Sequence, residues 1–136
     1  MGTIRRQDLI AEALKARKRA VAPYSQFQVG AALLTAVGRI IHGANVESAS
    51  YGLTCCAERI ALFKALTEGE KSFTAIAVVA RAPGGPMPCG ACRQLLAEYA
   101  PEARVFIADS AQPARIKTFR VKNLLPGAFL KSALPQ

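Results

Sequence analysis

The sequence predicts an α/β protein: a three-layer α/β/α sandwich with a central five-stranded sheet. Three observations carry this. Helical and strand patterns follow one another in the order α-β-β-α-β-α-β-β. The run FTAIAVVA (73–80) is almost wholly apolar, as a strand buried on both faces must be. The 136 residues suffice for one well-buried core and are few for two, so residues 1–136 read as a single domain. No repeat, linker or low-complexity segment interrupts them.

Residues 4–21 place Leu9, Ile10, Ala13, Leu14 and Val21 among charges, which is the pattern of an amphipathic helix ended by Pro23. FQVGAALLT (27–35) and RIIHGANV (39–46) read as two strands, and the tight Ala36–Gly38 link makes them a hairpin. The small-residue loop ESASYGLT (47–54) leads into a helix, CCAERIALFKALTEG, whose inward residues are expected to be Ile60, Leu62, Phe63 and Leu66, with Gly69 as its stop. After the strand 73–80, RAPGGPMP is a loop and CGACRQLLAEYA a second helix opening directly after Pro88. RVFIAD (104–109) and ARIKTFRV (114–121) complete the strands. NLLPGAF is a helical turn broken by Pro126, and the closing KSALPQ (131–136) reads as loosely ordered.

Composition narrows the class. No stretch approaches about 18 uninterrupted apolar residues, and the basic N-terminus lacks an apolar signal core, so no membrane span is expected and the protein is placed in the cytoplasm. With 51% apolar residues, some apolar surface is expected to be covered by partner chains. The net charge of +9 raises nucleic acid as a partner, but the charges are scattered. The one cluster (Lys15, Arg17, Lys18, Arg19) has no interleaved aromatics, so none is expected.

Four cysteines in a cytosolic chain point to metal or catalysis before disulfides. Cys89 and Cys92 stand three apart at a helix start, where both thiols can face one ion. No second such pair exists, and the only histidine, His42, reads as an ordinary strand residue. That leaves Cys55 and Cys56. If both bind, the site is closed and structural. If one binds, three thiolates hold the ion and a fourth position stays open for water, as in catalytic zinc sites. Adjacent helical residues point about 100° apart, which argues against both reaching the same ion. Glu58, two residues after Cys56, is then near the open side, where a proton shuttle is needed.

Cys56-Ala57-Glu58 with Pro88-Cys89-Gly90-Ala91-Cys92 resembles the zinc deaminase signature in its three-cysteine form. Together with APYSQFQVGAALLT (22–35), NVESASY (45–51), CAERIALFKA (56–65), PCGACRQ and LLPGAF (124–129), the chain resembles the small homotetrameric, zinc-dependent cytidine deaminases of the cytidine and deoxycytidylate deaminase family. The resemblance implies that family's fold with a mixed sheet, and one Zn²⁺ per subunit on Cys56, Cys89 and Cys92, with Cys55 a spare thiol. It implies hydrolysis of free cytidine and 2′-deoxycytidine to uridine and 2′-deoxyuridine plus ammonia, with Glu58 moving protons from water to ring N3 and to the departing amine. Three thiolates blunt the metal's acidity. Helix N-termini at Cys56 and Cys89 and donation from Arg59 and Arg93 to the sulfurs are expected to offset them.

By the same resemblance Asn45, Val46 and Glu47 contact the nucleoside, with Asn45 and Glu47 on the ribose hydroxyls. Phe27 packs on the nucleoside, and backbone near Ala57 orients the base. Phe129 arrives from a neighbouring subunit to stack on the pyrimidine, and Tyr51 reaches across an interface. Three alternatives stand beside this reading. They are a same-fold deaminase of another aminopyrimidine nucleoside, a cytidine deaminase of single-stranded nucleic acid, and a closed four-cysteine zinc module without catalysis.

Overall fold

The computed structural model describes residues 4–131. Its sheet has five strands: β1 (Val29–Thr35), β2 (Ile40–Ala44), β3 (Phe73–Ala80), β4 (Arg104–Asp109) and β5 (Lys117–Arg120). They lie in the order β2-β1-β3-β4-β5. Only β3 and β4 run parallel; β1 is antiparallel to both β2 and β3, and β5 to β4. The expected mixed five-stranded sheet is therefore present. Helix α1 (Arg6–Arg17) covers one face, and α2 (Ala57–Thr67), α3 (Gly90–Tyr99) and the single turn α4 (Val121–Leu124) cover the other.

The period-two rule assigns each face its residues. Ile76 and Val78 of β3 and Val105 and Ile107 of β4 join α2 and α3, whereas Ala75, Ala77, Val79 and Ala108 meet Leu9, Ile10 and Ala13 of α1. Both faces of β3 are thus closed, which is why its sequence shows no alternation.

Several boundaries differ from the sequence expectation. Helix α1 ends at Arg17, well before Pro23, because the chain turns at Lys18–Ala20 so that Val21 can pair with Val46. Strand β1 starts at Val29 and β2 stops at Ala44, while α2 starts only at Ala57 and α3 only at Gly90. The last strand is confined to Lys117–Arg120, since Val121 already opens α4. His42 sits in β2 as expected, its Nε2 2.8 Å from Glu12 Oε1. From residue 132 on, the tail expectation falls outside the described residues.

The inward face of α2 is corrected more substantially. Its buried residues are Ala57, Glu58, Ala61, Leu62 and Ala65; Ile60 is half-buried and Phe63 is exposed. The helix presents alanines because it lies flush on β2 at Gly43. A Cβ there would stand 2.3 Å from the Ala57 carbonyl oxygen and 2.6 Å from the Ala61 nitrogen, both rigid backbone. Gly43→Ala must therefore push away the turn that carries Glu58. We expect it to destabilise the fold by about 1–3 kcal/mol, as overpacking does, read as a lower urea midpoint.

Candidate active site

The site is built on the N-termini of α2 and α3. Cys56 is the residue before α2, with extended backbone (φ −69°, ψ 153°), and Cys89 holds the equivalent place before α3 (φ −68°, ψ 168°). Cys92 lies in the first turn of α3, and its backbone N–H donates to Cys89 Sγ at 3.5 Å. The sulfurs of Cys56 and Cys89 are 3.7 Å apart, and all three sulfurs lie within 4.8 Å of one another. Among the described residues no fourth histidine, cysteine or carboxylate joins them. Cys55 is held away by two backbone hydrogen bonds to Val46, of 2.8 and 3.0 Å.

The donor set by itself calls for a cation. Hydrogen bonding from Cys92, with Arg59 and Cys89 adding to it, lowers the Cys56 thiol to about 5. Cys92 moves the opposite way, pushed up by its bond to Cys56 and by burial. The two thiols titrate as a pair: once one is ionised, the negative charge holds the other protonated. Three sulfurs this close can all ionise only around a positive ion, and soft thiolates suit zinc. Arg59 Nη2 lies 3.5 Å from Cys56 Sγ and donates to the Thr54 carbonyl at 3.1 Å, while the Cys56 sulfur keeps its guanidinium firmly charged. Burial pushes the Cys55 thiol up, consistent with its place outside the cluster.

Glu58, in the first turn of α2, is only 5% exposed. Burial, aided by the negative Cys56 sulfur, pushes its carboxyl up to about 7. It lines a cavity of about 270 Å³ together with Cys56, Cys89, Ala57, Phe27, Asn45 and Glu47. A carboxyl, two of the three thiols and a polar rim thus share one recess.

Residues 3–108 match the model of the cytidine and deoxycytidylate deaminase zinc-binding region. The chain belongs to that deaminase family. It is 54% identical to a cytidine deaminase of Halalkalibacterium halodurans, over 91% of this chain and 93% of the relative. It is 48% identical to one from Sporosarcina psychrophila, over 94% of this chain and 93% of that one. The crystal structure of cytidine deaminase from Burkholderia pseudomallei superposes with a TM-score of 0.89 at 46% identity, covering 93% of this chain and all of that one. The family's zinc fits the cluster of Cys56, Cys89 and Cys92, one ion per chain.

The remaining deaminase residues singled out in the sequence divide into two groups. Asn45 is buried and stitches β2 to the chain before β1: its Oδ1 accepts from Val29 N–H and its Nδ2 donates to the Phe27 carbonyl, each at 2.8 Å. One amide hydrogen remains for a ligand. Glu47 accepts from the N–H groups of Tyr24 and Ser25 at 3.0 and 3.1 Å and from the Ser25 hydroxyl. By contrast, Val46, Tyr51 and Phe129 do not line this cavity. Tyr51, 83% exposed, lines a neighbouring concavity of about 400 Å³ that shares Glu47 and Thr54 with it. Phe129 is exposed, its carbonyl accepting from Gln94 Nε2 at 2.5 Å.

Arg93 is a correction. It donates to no sulfur: Nε bonds the Pro88 carbonyl at 2.8 Å and Nη1 the Leu124 carbonyl at 3.1 Å, tying the cysteine loop to the C-terminal segment. Thr54, Pro86 and Met87, with Val29 of β1 and Val78 of β3, complete the wall and were not singled out by the sequence. Thr54 directly precedes the cysteine pair and had that position as its signal. Pro86 and Met87 sit in a loop of turn composition and had none.

Proposed function

We propose that this chain is a zinc-dependent cytidine deaminase, hydrolysing free cytidine and 2′-deoxycytidine to uridine and 2′-deoxyuridine with release of ammonia. The observation that carries this reading is the placement of the buried Glu58 carboxyl in the same recess as Cys56 and Cys89, with three thiols and, among the described residues, no fourth ligand in the cluster. Zinc held by Cys56, Cys89 and Cys92 supplies the Lewis acidity that lets water ionise near neutral pH. Glu58 takes the proton lost by the attacking water and gives it to ring N3, making C4 electrophilic. It then carries a proton to the exocyclic nitrogen as the C4–N bond breaks. Arg59 and the two helix N-termini offset the negative thiolates. Ala57 backbone orients the base and Phe27 packs on the nucleoside.

Asn45 and Glu47 receive the sugar, Asn45 through its remaining amide hydrogen and Glu47 through a carboxylate oxygen. The hydrogen bonds from Ser25 and Tyr24 hold the Glu47 carboxyl below the usual carboxylate range, so it stays charged well into the acid range. A negative group beside the sugar opposes a 5′-phosphate. We therefore expect 5′-CMP to be deaminated about tenfold less efficiently than cytidine, because the carboxylate and the phosphate repel each other. Comparing kcat/KM for the two, with a single-stranded oligonucleotide as third substrate, tests this. Equal rates on CMP, or a preference for the oligonucleotide, would overturn the nucleoside reading.

The working enzyme is further proposed to be a homotetramer of one domain per chain, with each site completed by Phe129 and Tyr51 of neighbouring copies. The exposure of the large apolar side chains of Tyr51, Leu53 and Phe129 supports this. A cytoplasmic role in pyrimidine salvage, with neither membrane nor nucleic acid as partner, suits a site that needs three reduced thiols.

A further inference from the structure

Ser25 stands at the junction of the two parts of the site that meet the nucleoside. Its hydroxyl donates to Glu47 Oε2, and Ser25 Oγ in turn accepts the Phe27 backbone N–H at 3.0 Å. Between them Gln26 takes a left-handed backbone (φ 60°), unusual for a residue with a side chain. Its N–H bonds the Ala22 carbonyl at 3.0 Å, which closes the loop into a tight turn. The loop is therefore held in a strained form by its own backbone turn and by the Ser25 hydroxyl, which links Glu47 to Phe27.

Hydrogen-bond capacity decides what this does. A carboxylate offers about four acceptor positions. On Glu47 Oε1 two are taken by the Tyr24 and Ser25 N–H groups, and on Oε2 one is taken by the Ser25 hydroxyl. What remains free is on Oε2, beside Ser25 and on the oxygen that Ser25 itself orients. A hydroxyl donor arriving from the cavity must use it. The short backbone contacts fix Oε1 against the loop, so the carboxylate plane cannot swing to offer another oxygen.

We infer that Ser25 is a specificity-determining residue of this site: with Oε1 committed to backbone, its hydroxyl sets which acceptor position of Glu47 Oε2 is left for a sugar hydroxyl and couples that oxygen to the position of Phe27. The inference rests on the reading of Glu47 as the sugar acceptor. Ser25 is a positioning residue: it acts through Glu47 and Phe27 and touches neither the base nor the sulfurs. The lowered Glu47 carboxyl, for which the Ser25 hydroxyl is the leading cause, is consistent with this.

The test uses the zinc-loaded enzyme with two substrates, cytidine and 2′,3′-dideoxycytidine. Removing the Ser25 hydroxyl takes one bond from a charged acceptor, so S25A should raise KM for cytidine roughly fivefold to thirtyfold, with kcat within about twofold. With dideoxycytidine, which lacks the 2′- and 3′-hydroxyls and keeps only the 5′, the S25A penalty should shrink to less than about twofold. S25T, which keeps the hydroxyl, should restore the cytidine KM. An equal S25A penalty on both substrates, or a loss carried by kcat, would overturn the inference and leave Ser25 a purely structural loop residue. E47Q separates the two layers. If E47Q discriminates between the substrates and S25A does not, only the role of Ser25 falls. If E47Q treats both substrates alike, the sugar reading of Glu47 falls and takes Ser25 with it.

Discussion

Glu58→Gln is expected to lower kcat on cytidine by about 10²–10⁴ while zinc content stays at the wild-type level. The amide keeps the size of the side chain, and Glu58 is not among the clustered sulfurs, so the metal loses no ligand. What disappears is the only carboxyl in the recess buried beside the cysteines, and with it the carrier between water, ring N3 and the leaving nitrogen. The variant should fold at least as well as wild type, because removing a buried acid removes a desolvation cost. Zinc analysis beside steady-state kinetics checks both halves. A variant that retains a tenth or more of the rate would assign the proton transfers elsewhere.

The second large effect separates two adjacent thiols. Cys56→Ser is expected to lose zinc and activity together, whereas Cys55→Ser should keep both within about twofold of wild type. The reason is geometric: Cys56 Sγ lies 3.7 Å from Cys89 Sγ, while both backbone polar groups of Cys55 are committed to Val46. Stripping zinc from the wild type should also lower its melting temperature. A ligand present at about a thousandfold over its Kd contributes about 4 kcal/mol, on the order of 10 °C for a domain of this size. Metal analysis and thermal denaturation of the two serine variants decide it. Zinc loss from Cys55→Ser would point to the closed four-cysteine module.

The site was more legible in the sequence than the packing around it. Cysteine spacing carries information because it acts through helix geometry, and the two helix N-termini converge as the Cys56-Ala57-Glu58 and Cys89–Cys92 segments predict. The nearly all-apolar strand 73–80 matches β3 residue for residue, since burial on both faces leaves no choice of polar positions. The inward face of α2 was misread because bulk was taken as the sign of burial. Leu62 is buried and Leu66 packs on the core as expected, but the turn over Gly43 is filled by Ala57 and Ala61, and Phe63 lies outside. Arg93 was misassigned for a similar reason. Its neighbour in sequence is Cys92, but its long side chain serves the carbonyls of Pro88 and Leu124, a pairing set by the tertiary fold. Ser25, inside the segment 22–35, carries no legible role in the sequence, because its meaning depends on Glu47, twenty-two residues away.

The most direct test of the account is one assay on purified protein: uridine and ammonia released from cytidine, with zinc counted per chain in the same sample. The account predicts about one zinc per chain and equal amounts of the two products, as expected of a three-ligand catalytic site. A protein that holds its zinc and leaves cytidine untouched would contradict it, and would turn attention to other aminopyrimidines for the same recess.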